Sequence, residues 1–279
     1  MSLFLLRIVS VIIECFFFEF ESFANLSKRS SKTSTTPMFG SIVQNGKFAL
    51  CLLNQPVQEW GPFIDIWNKS SFRVTVDGGT SIWAEIVNNA EGKAEHEVPD
   101  MITGDFDSAD KTHVEHFKKL GSKIVSTPDQ DYTDFTKCLM ELGAEMKKGN
   151  SKLSEVEAVF AFVENSGRLD HIMANIETLF LAPGLVPCPV YLVSSRGLSW
   201  LLGPGDHEIR VGDLVTEDSH CGLIPLDGQA EVTTSGLKWN LEKGILRFGH
   251  LVSTSNGFDL TKEKVKITTD KSLLWTMDY

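Results

Sequence analysis

At 279 residues, 42% apolar and 23% charged, the chain can bury one large core or two moderate ones and is too apolar to be largely disordered. Thirty-seven acidic against 26 basic side chains leave a formal charge of −11, which disfavours nucleic acid or an anionic membrane as a general partner. Five scattered cysteines with no Cys-x-x-Cys pair disfavour a disulfide framework or zinc site and fit a reducing, cytoplasmic setting.

Residues 1–40 begin with an apolar stretch that Arg7, Glu14 and Glu19 interrupt, so no charge-free run approaches the roughly 20 residues of a spanning helix. A Ser/Thr/Lys-rich run over residues 27–36 follows, and the whole segment is expected to be a poorly ordered leader. From there short apolar runs alternate with amphipathic segments. Strands are predicted at Phe48 to Leu53, Arg73 to Val76, Met101 to Thr103, Lys123 to Ser126, Glu157 to Val163 and Val190 to Val193. Helices are predicted at Ser81 to Asn89 and Asp110 to Leu120, then along the stripe Phe135, Cys138, Leu139, Leu142 and Met146. The last is predicted along a buried stripe of Leu169, Ile172, Ile176, Leu179 and Phe180, ending at Pro183-Gly184.

Strands alternating with helices imply an α/β domain with a parallel sheet over residues 41–195. Beyond Ser195 turn signals recur at Gly203-Pro204-Gly205, Val211-Gly212-Asp213, Leu226-Asp227-Gly228 and Glu242-Lys243-Gly244 with no helical period. Residues 196–279 are therefore expected to form an all-β sandwich.

In open parallel sheets ligands sit beyond the carboxyl ends of the strands, and polar clusters fall at three such ends. They are Asp77-Gly78-Gly79, Gly104-Asp105-Phe106-Asp107-Ser108 and Asn165-Ser166-Gly167-Arg168-Leu169-Asp170. A fourth, Asp129 to Asp134, opens the long helix, whose amide donors favour anions. Asp105 and Asp107, one residue apart, can converge on a hard cation such as Mg²⁺, and Arg168 suits phosphate. Each cluster also has a plain structural reading as a turn, a helix-dipole complement or a surface ion pair. No Walker A or Gly-x-Gly-x-x-Gly pattern occurs, and His113-Val114-Glu115-His116 is too short for a zinc-peptidase motif. Farther on, Trp239 could stack on an aromatic cation or pack in the sandwich core, whereas Trp200 and Trp275 are assigned to the core.

From about Phe48 to Met277 the chain resembles the thiamine pyrophosphokinases, most closely those of animals. The likeness rests on Asp77-Gly78-Gly79, Gly104 to Ser108, Ser126-Thr127-Pro128-Asp129-Gln130-Asp131 and Thr133-Asp134-Phe135-Thr136-Lys137. It continues in Gly167-Arg168-Leu169-Asp170, Gly222-Leu223-Ile224-Pro225, Gly236 to Leu241 and Leu251-Val252-Ser253-Thr254-Ser255-Asn256. The resemblance implies transfer of a pyrophosphoryl group from ATP to the thiamine hydroxyl, releasing AMP, in a homodimer with active sites between subunits.

It further implies Mg²⁺ on Asp105, Asp107 and Asp134; the mechanism expected from this adds Asp131 or Asp134 as acceptor of the hydroxyl proton, a choice the sequence leaves open. ATP would be met by Asp77, Gly78, Gly79, Lys137, Arg168 and Asp170, and thiamine by Gln130, Trp239, Ser255 and Asn256. The chain departs from the family pattern at Thr80-Ser81, where Ala-Asn is usual, at Glu164-Asn165, where glycines are usual, and at Gly257. A different Mg²⁺-dependent phosphohydrolase or nucleotidyltransferase, or a non-catalytic thiamine-binding module, would use the same features differently.

Overall fold

The computed structural model describes residues 33–35, 42–43, 45–55, 57, 60–89, 96–150 and 152–278, and most of the expected leader lies outside them. Apart from a short strand β1 (Thr33–Thr35), the elements fall into two compact units, Ile42–Leu198 and Ser199–Tyr279; β1 belongs with the latter. No helix among the described residues is long and apolar enough to cross a membrane.

The first unit contains, in chain order, β2 (Phe48–Leu52), α1 (Trp60–Lys69), β3 (Phe72–Val76), α2 (Gly79–Asn89) and β4 (Met101–Gly104). It continues with α3 (Lys111–Lys119), β5 (Lys123–Ser126), α4 (Asp134–Lys147), β6 (Ala158–Phe162), α5 (Leu169–Leu185) and β7 (Val190–Ser194). Its strands lie in the order β7-β6-β2-β3-β4-β5 and every pairing is parallel. The residues of β2, β3 and β4 are buried throughout, as in strands covered on both faces, with Arg73, Thr75 and Thr103 buried among the apolar residues. Trp67 of α1 and Trp83 of α2 stack with centroids 4.2 Å apart. Cys51 of β2 and Cys138 of α4 are fully buried, with their sulfurs 3.8 Å apart.

Two helical features differ from expectation. Helix α1 has no counterpart in the sequence prediction; it carries Pro62 in its first turn, where proline is tolerated because its missing N–H has no partner to lose. Helix α5 runs through Pro183 to Leu185, since a proline one turn from the end removes only one late hydrogen bond. Its buried residues are Thr178, Leu179 and Ala182, while Leu169 is 70% exposed and Met173 46%, so the buried stripe begins two turns later than periodicity suggests. In the buried part, Thr178 meets Thr136 of α4, hydroxyl to hydroxyl at 2.7 Å.

The second unit is antiparallel apart from the β1–β9 pairing: β8 (Gly197–Leu202), β9 (Gly205–Arg210), β10 (His220–Ile224), β11 (Ala230–Ser235), β12 (Gly244–Leu246), β13 (Ser253–Gly257), β14 (Lys264–Thr269) and β15 (Leu273–Asp278). One group runs β1-β9-β14-β11-β12, the other β13-β10-β15-β8. Along β11 buried and exposed residues alternate strictly, the mark of a sheet covered on one face. Trp200 and Trp275 are in its core, 5% and 0% exposed.

Candidate active site

Strands β2, β3, β4 and β5 succeed one another outward, after which β6 returns to the other side of β2. That reversal opens a crevice at the carboxyl ends of the strands. Beside it, the chain leaving β3 turns at Asp77, whose φ is 47° and whose N–H donates to Thr103 O on β4 at 2.7 Å. Two glycines make this turn possible. A Cβ on Gly79 would lie 2.3 Å from Leu52 O, and one on Gly104 would lie 2.9 Å from Asp77 Cβ, with Gly104 at φ 152°. Register pairs Val76 with Thr103, so Asp77 and Gly104 stand side by side and Asp105 follows at once.

Asp134 arrives from a third direction as the first residue of α4, whose N-cap Thr133 accepts from the Thr136 N–H. Lys137, one turn on and 5% exposed, fixes the loop that leads there. Its ammonium donates to Thr127 O and Asp129 O at 2.8 Å each and pairs with Asp134 Oδ1 at 2.8 Å. Two of its protons are thereby spent on backbone carbonyls, and the Asp134 contact is an ion pair that leaves Asp134 Oδ1 without a hydrogen-bond donor among the described residues. The same loop carries Gln130, whose Nε2 donates to Asp105 Oδ2 at 3.0 Å and to Pro128 O at 3.2 Å. Asp131 is exposed, and its N–H donates to Asp129 Oδ1.

One carboxylate oxygen from each of Asp77, Asp105 and Asp134 falls within 4.8 Å of the others, the one such trio of candidate ligands among the described residues. Asp107 is outside the trio, its Oδ1 accepting the Ser108 hydroxyl, but close enough to add to the negative charge around Asp77. Burial, followed by the Asp134 charge, raises the Asp77 pKa above the usual carboxylate value. The Gln130 amide has the opposite effect on Asp105, holding it below that value. Asp77 Oδ1 is buried and has no hydrogen-bond donor among the described residues. An unsatisfied, desolvated oxygen beside two further carboxylates is costly unless a cation neutralises it, so these residues fit a hard divalent ion. Sequence spacing pointed to Asp107 as the neighbour of Asp105. Asp77 enters the trio through β3–β4 pairing, which spacing alone does not reveal.

The remaining expected residues are dispersed. Arg168 and Asp170 form an exposed ion pair at the start of α5, in which each shifts the other toward its charged form. Thr80 turns inward to the Thr75 hydroxyl at 2.9 Å and is fully buried, while Ser81 Oγ accepts from the Asp110 N–H. Trp239, Ser255 and Asn256 belong to the second unit. Trp239 is 58% exposed, so its ring is outside the core, with the Lys238 ammonium 4.9 Å from its centroid. Asn256, nearly buried, clamps its backbone: Oδ1 accepts from the Trp239 N–H at 3.1 Å and Nδ2 donates to the Trp239 carbonyl at 2.8 Å. Ser255 is exposed with φ 53°.

Residues 63–185 match the family described as "Thiamin pyrophosphokinase, catalytic domain", and residues 206–274 the one described as "Thiamin pyrophosphokinase, vitamin B1 binding domain". "Thiamine pyrophosphokinase 3" of Oryza sativa subsp. japonica is 35% identical over 242 residues, covering 82% of this chain and 86% of that protein. "Thiamin pyrophosphokinase 1" of Caenorhabditis elegans is 33% identical over 215 residues, covering 77% and 82%. Among solved structures, yeast thiamin pyrophosphokinase superposes with a TM-score of 0.74 at 18% identity, covering 88% of this chain and 90% of that one. The Candida albicans protein gives 0.72 at 21%, covering 91% and 94%. At those identities the two structures speak to the fold alone.

Proposed function

This chain belongs to the thiamine pyrophosphokinase family, and on that premise we propose that it moves the pyrophosphoryl group of ATP to the thiamine hydroxyl, giving thiamine diphosphate and AMP. The observation that carries the chemistry is the trio of Asp77, Asp105 and Asp134 at adjoining strand and helix ends. These three would hold Mg²⁺, with Asp107 available from the same turn. Bound there, the ion supplies positive charge against the phosphate oxygens.

The protein's own groups do the rest by placement. The hydroxyl oxygen of thiamine attacks the β-phosphorus in line, the bond from that phosphorus to the α,β-bridging oxygen breaks, and AMP leaves. We assign the hydroxyl proton to the Asp131 carboxylate, which is exposed and outside the trio. Among the described residues Arg168 is paired with Asp170 alone, at the surface, and can swing to a phosphate with bidentate geometry. The Asp77-Gly78-Gly79 turn brings backbone close to the nucleotide. Lys137 serves ATP indirectly, by setting Asp134 and the Thr127–Asp129 backbone.

Gln130 stands on the acceptor side, and the exposed Trp239, steadied by Asn256 and flanked by Ser255, offers a face for the thiamine rings. A homodimer in which Trp239 of the partner subunit completes each site belongs to this reading, as does a cytoplasmic location. Incubation with ATP, Mg²⁺ and thiamine tests it. AMP and thiamine diphosphate should appear together and only when thiamine is present. AMP without thiamine would instead indicate a hydrolase or nucleotidyltransferase, and thiamine binding without turnover a non-catalytic module.

A further inference from the structure

We propose that Asn54 is a nucleotide-binding residue that recognises the uncharged nucleoside half of ATP in the crevice between β2 and β6; this rests on the ATP-dependent reading above. An exposed asparagine is ordinarily just solvated, but the setting of this one is unusual. It follows β2 at the point where the sheet order reverses, the place where open parallel sheets take their ligands. The Gln55 N–H donates to Leu53 O at 2.7 Å, a tight turn centred on Asn54 that aims its side chain away from the strand direction. The amide then lies flat against the nucleotide turn: a Cβ on Gly78 would be 2.5 Å from Asn54 Cγ and Nδ2 and 2.6 Å from Oδ1. Held so closely, the amide still has no hydrogen bond to any described residue. Its donor and acceptor are therefore positioned yet unspent.

The opposite wall decides which part of the nucleotide fits. Strand β6 pairs with β2 as far as Leu52 and Phe162, and its chain runs on past its own carboxyl end to Glu164 and Asn165. The Glu164 carboxylate accepts from Ser195 Oγ, and Asn165 donates to Ser194 Oγ, both at 3.2 Å. A carboxylate and neutral amides suit ribose hydroxyls or base edges, whereas Glu164 would repel a phosphate. The phosphates accordingly point toward the aspartate trio and Arg168.

The test is calorimetric titration of the full chain with AMP and, separately, with inorganic tripolyphosphate in Mg²⁺. Asn54→Ala should weaken AMP by about three- to tenfold, the worth of one or two neutral hydrogen bonds, and leave tripolyphosphate unchanged. Asn54→Leu, which keeps the size and adds no charge, should weaken AMP at least as much and serves if the alanine variant fails to fold. Equal loss for both ligands, or no loss for AMP, would overturn the assignment. Thiamine-dependent AMP release by the unaltered protein judges the enzymatic reading separately.

Discussion

Replacing Asp77 by asparagine tests the physics of the carboxylate trio most directly. Asparagine tolerates the left-handed backbone at φ 47°, so the turn should survive while one negative charge disappears. Two unit charges 4.8 Å apart repel by about 1 kcal/mol in water and about 3.5 kcal/mol at an effective dielectric near 20. Asp105 and Asp134 are partly exposed, so relief of roughly 1 to 3 kcal/mol is expected in the metal-free protein.

The pH dependence has a definite sign. Because folding raises the Asp77 pKa, the folded state holds this proton more tightly than the unfolded chain, and stability falls as pH rises from the ordinary value through the raised one. Above the raised value the penalty is fully present, and the asparagine variant lacks it. Thermal melts in EDTA should therefore show Asp77→Asn unfolding roughly 2 to 10 °C higher than the parent, while the rise that Mg²⁺ confers on the parent is lost. A variant that melts lower in EDTA and keeps its full response to Mg²⁺ would refute the reasoning.

Lys137→Met removes two hydrogen bonds and an ion pair from a buried ammonium and should cost about 2 to 4 kcal/mol in urea denaturation, with kcat falling more than the KM for ATP changes. Asn256→Ala frees the Trp239 backbone, so the KM for thiamine should rise about tenfold in steady-state kinetics while that for ATP holds; equal changes in both would argue against the clamp. Gly79→Ala drives a methyl group into the Leu52 carbonyl and should lower stability by about 3 kcal/mol, seen as a reduced urea midpoint.

Much of the architecture was legible because period and burial agree. The runs that became β2 and β6 are apolar along their whole length, and the α4 stripe of Phe135, Cys138, Leu139 and Leu142 is buried as its spacing implies. Local signals failed where tertiary context decides. Helix α1 has no counterpart in the sequence prediction, and Leu169 and Met173 have the spacing of core residues although their turns lie outside the packed part of α5. The site follows the same rule. Asp105 and Asp134 are recognisable from adjoining motifs, but Asp77 joins them only because β3 pairs with β4, and Asn54 meets Gly78 only because β2 lies beside β3. Conversely Lys137, a plausible phosphate ligand by composition, is spent inside the protein, which no local pattern foretells.

The buried thiols of Cys51 and Cys138 give the α/β unit an internal clock. Both sulfurs are sealed between the central strand and the helix that begins at Asp134, and the Cys51 pKa is raised well above the usual thiol value, first by its contact with Cys138 and then by burial. An alkylating reagent can reach them only when that helix lifts from the sheet, and thiolate then forms under ordinary solvent conditions. Cys188, half-buried, lies nearer the surface, although burial raises its thiol pKa to about 11. The lag between modification of Cys188 and of the inner pair thus times the opening of the framework that holds Asp134, and any ligand that ties the aspartates together should lengthen it.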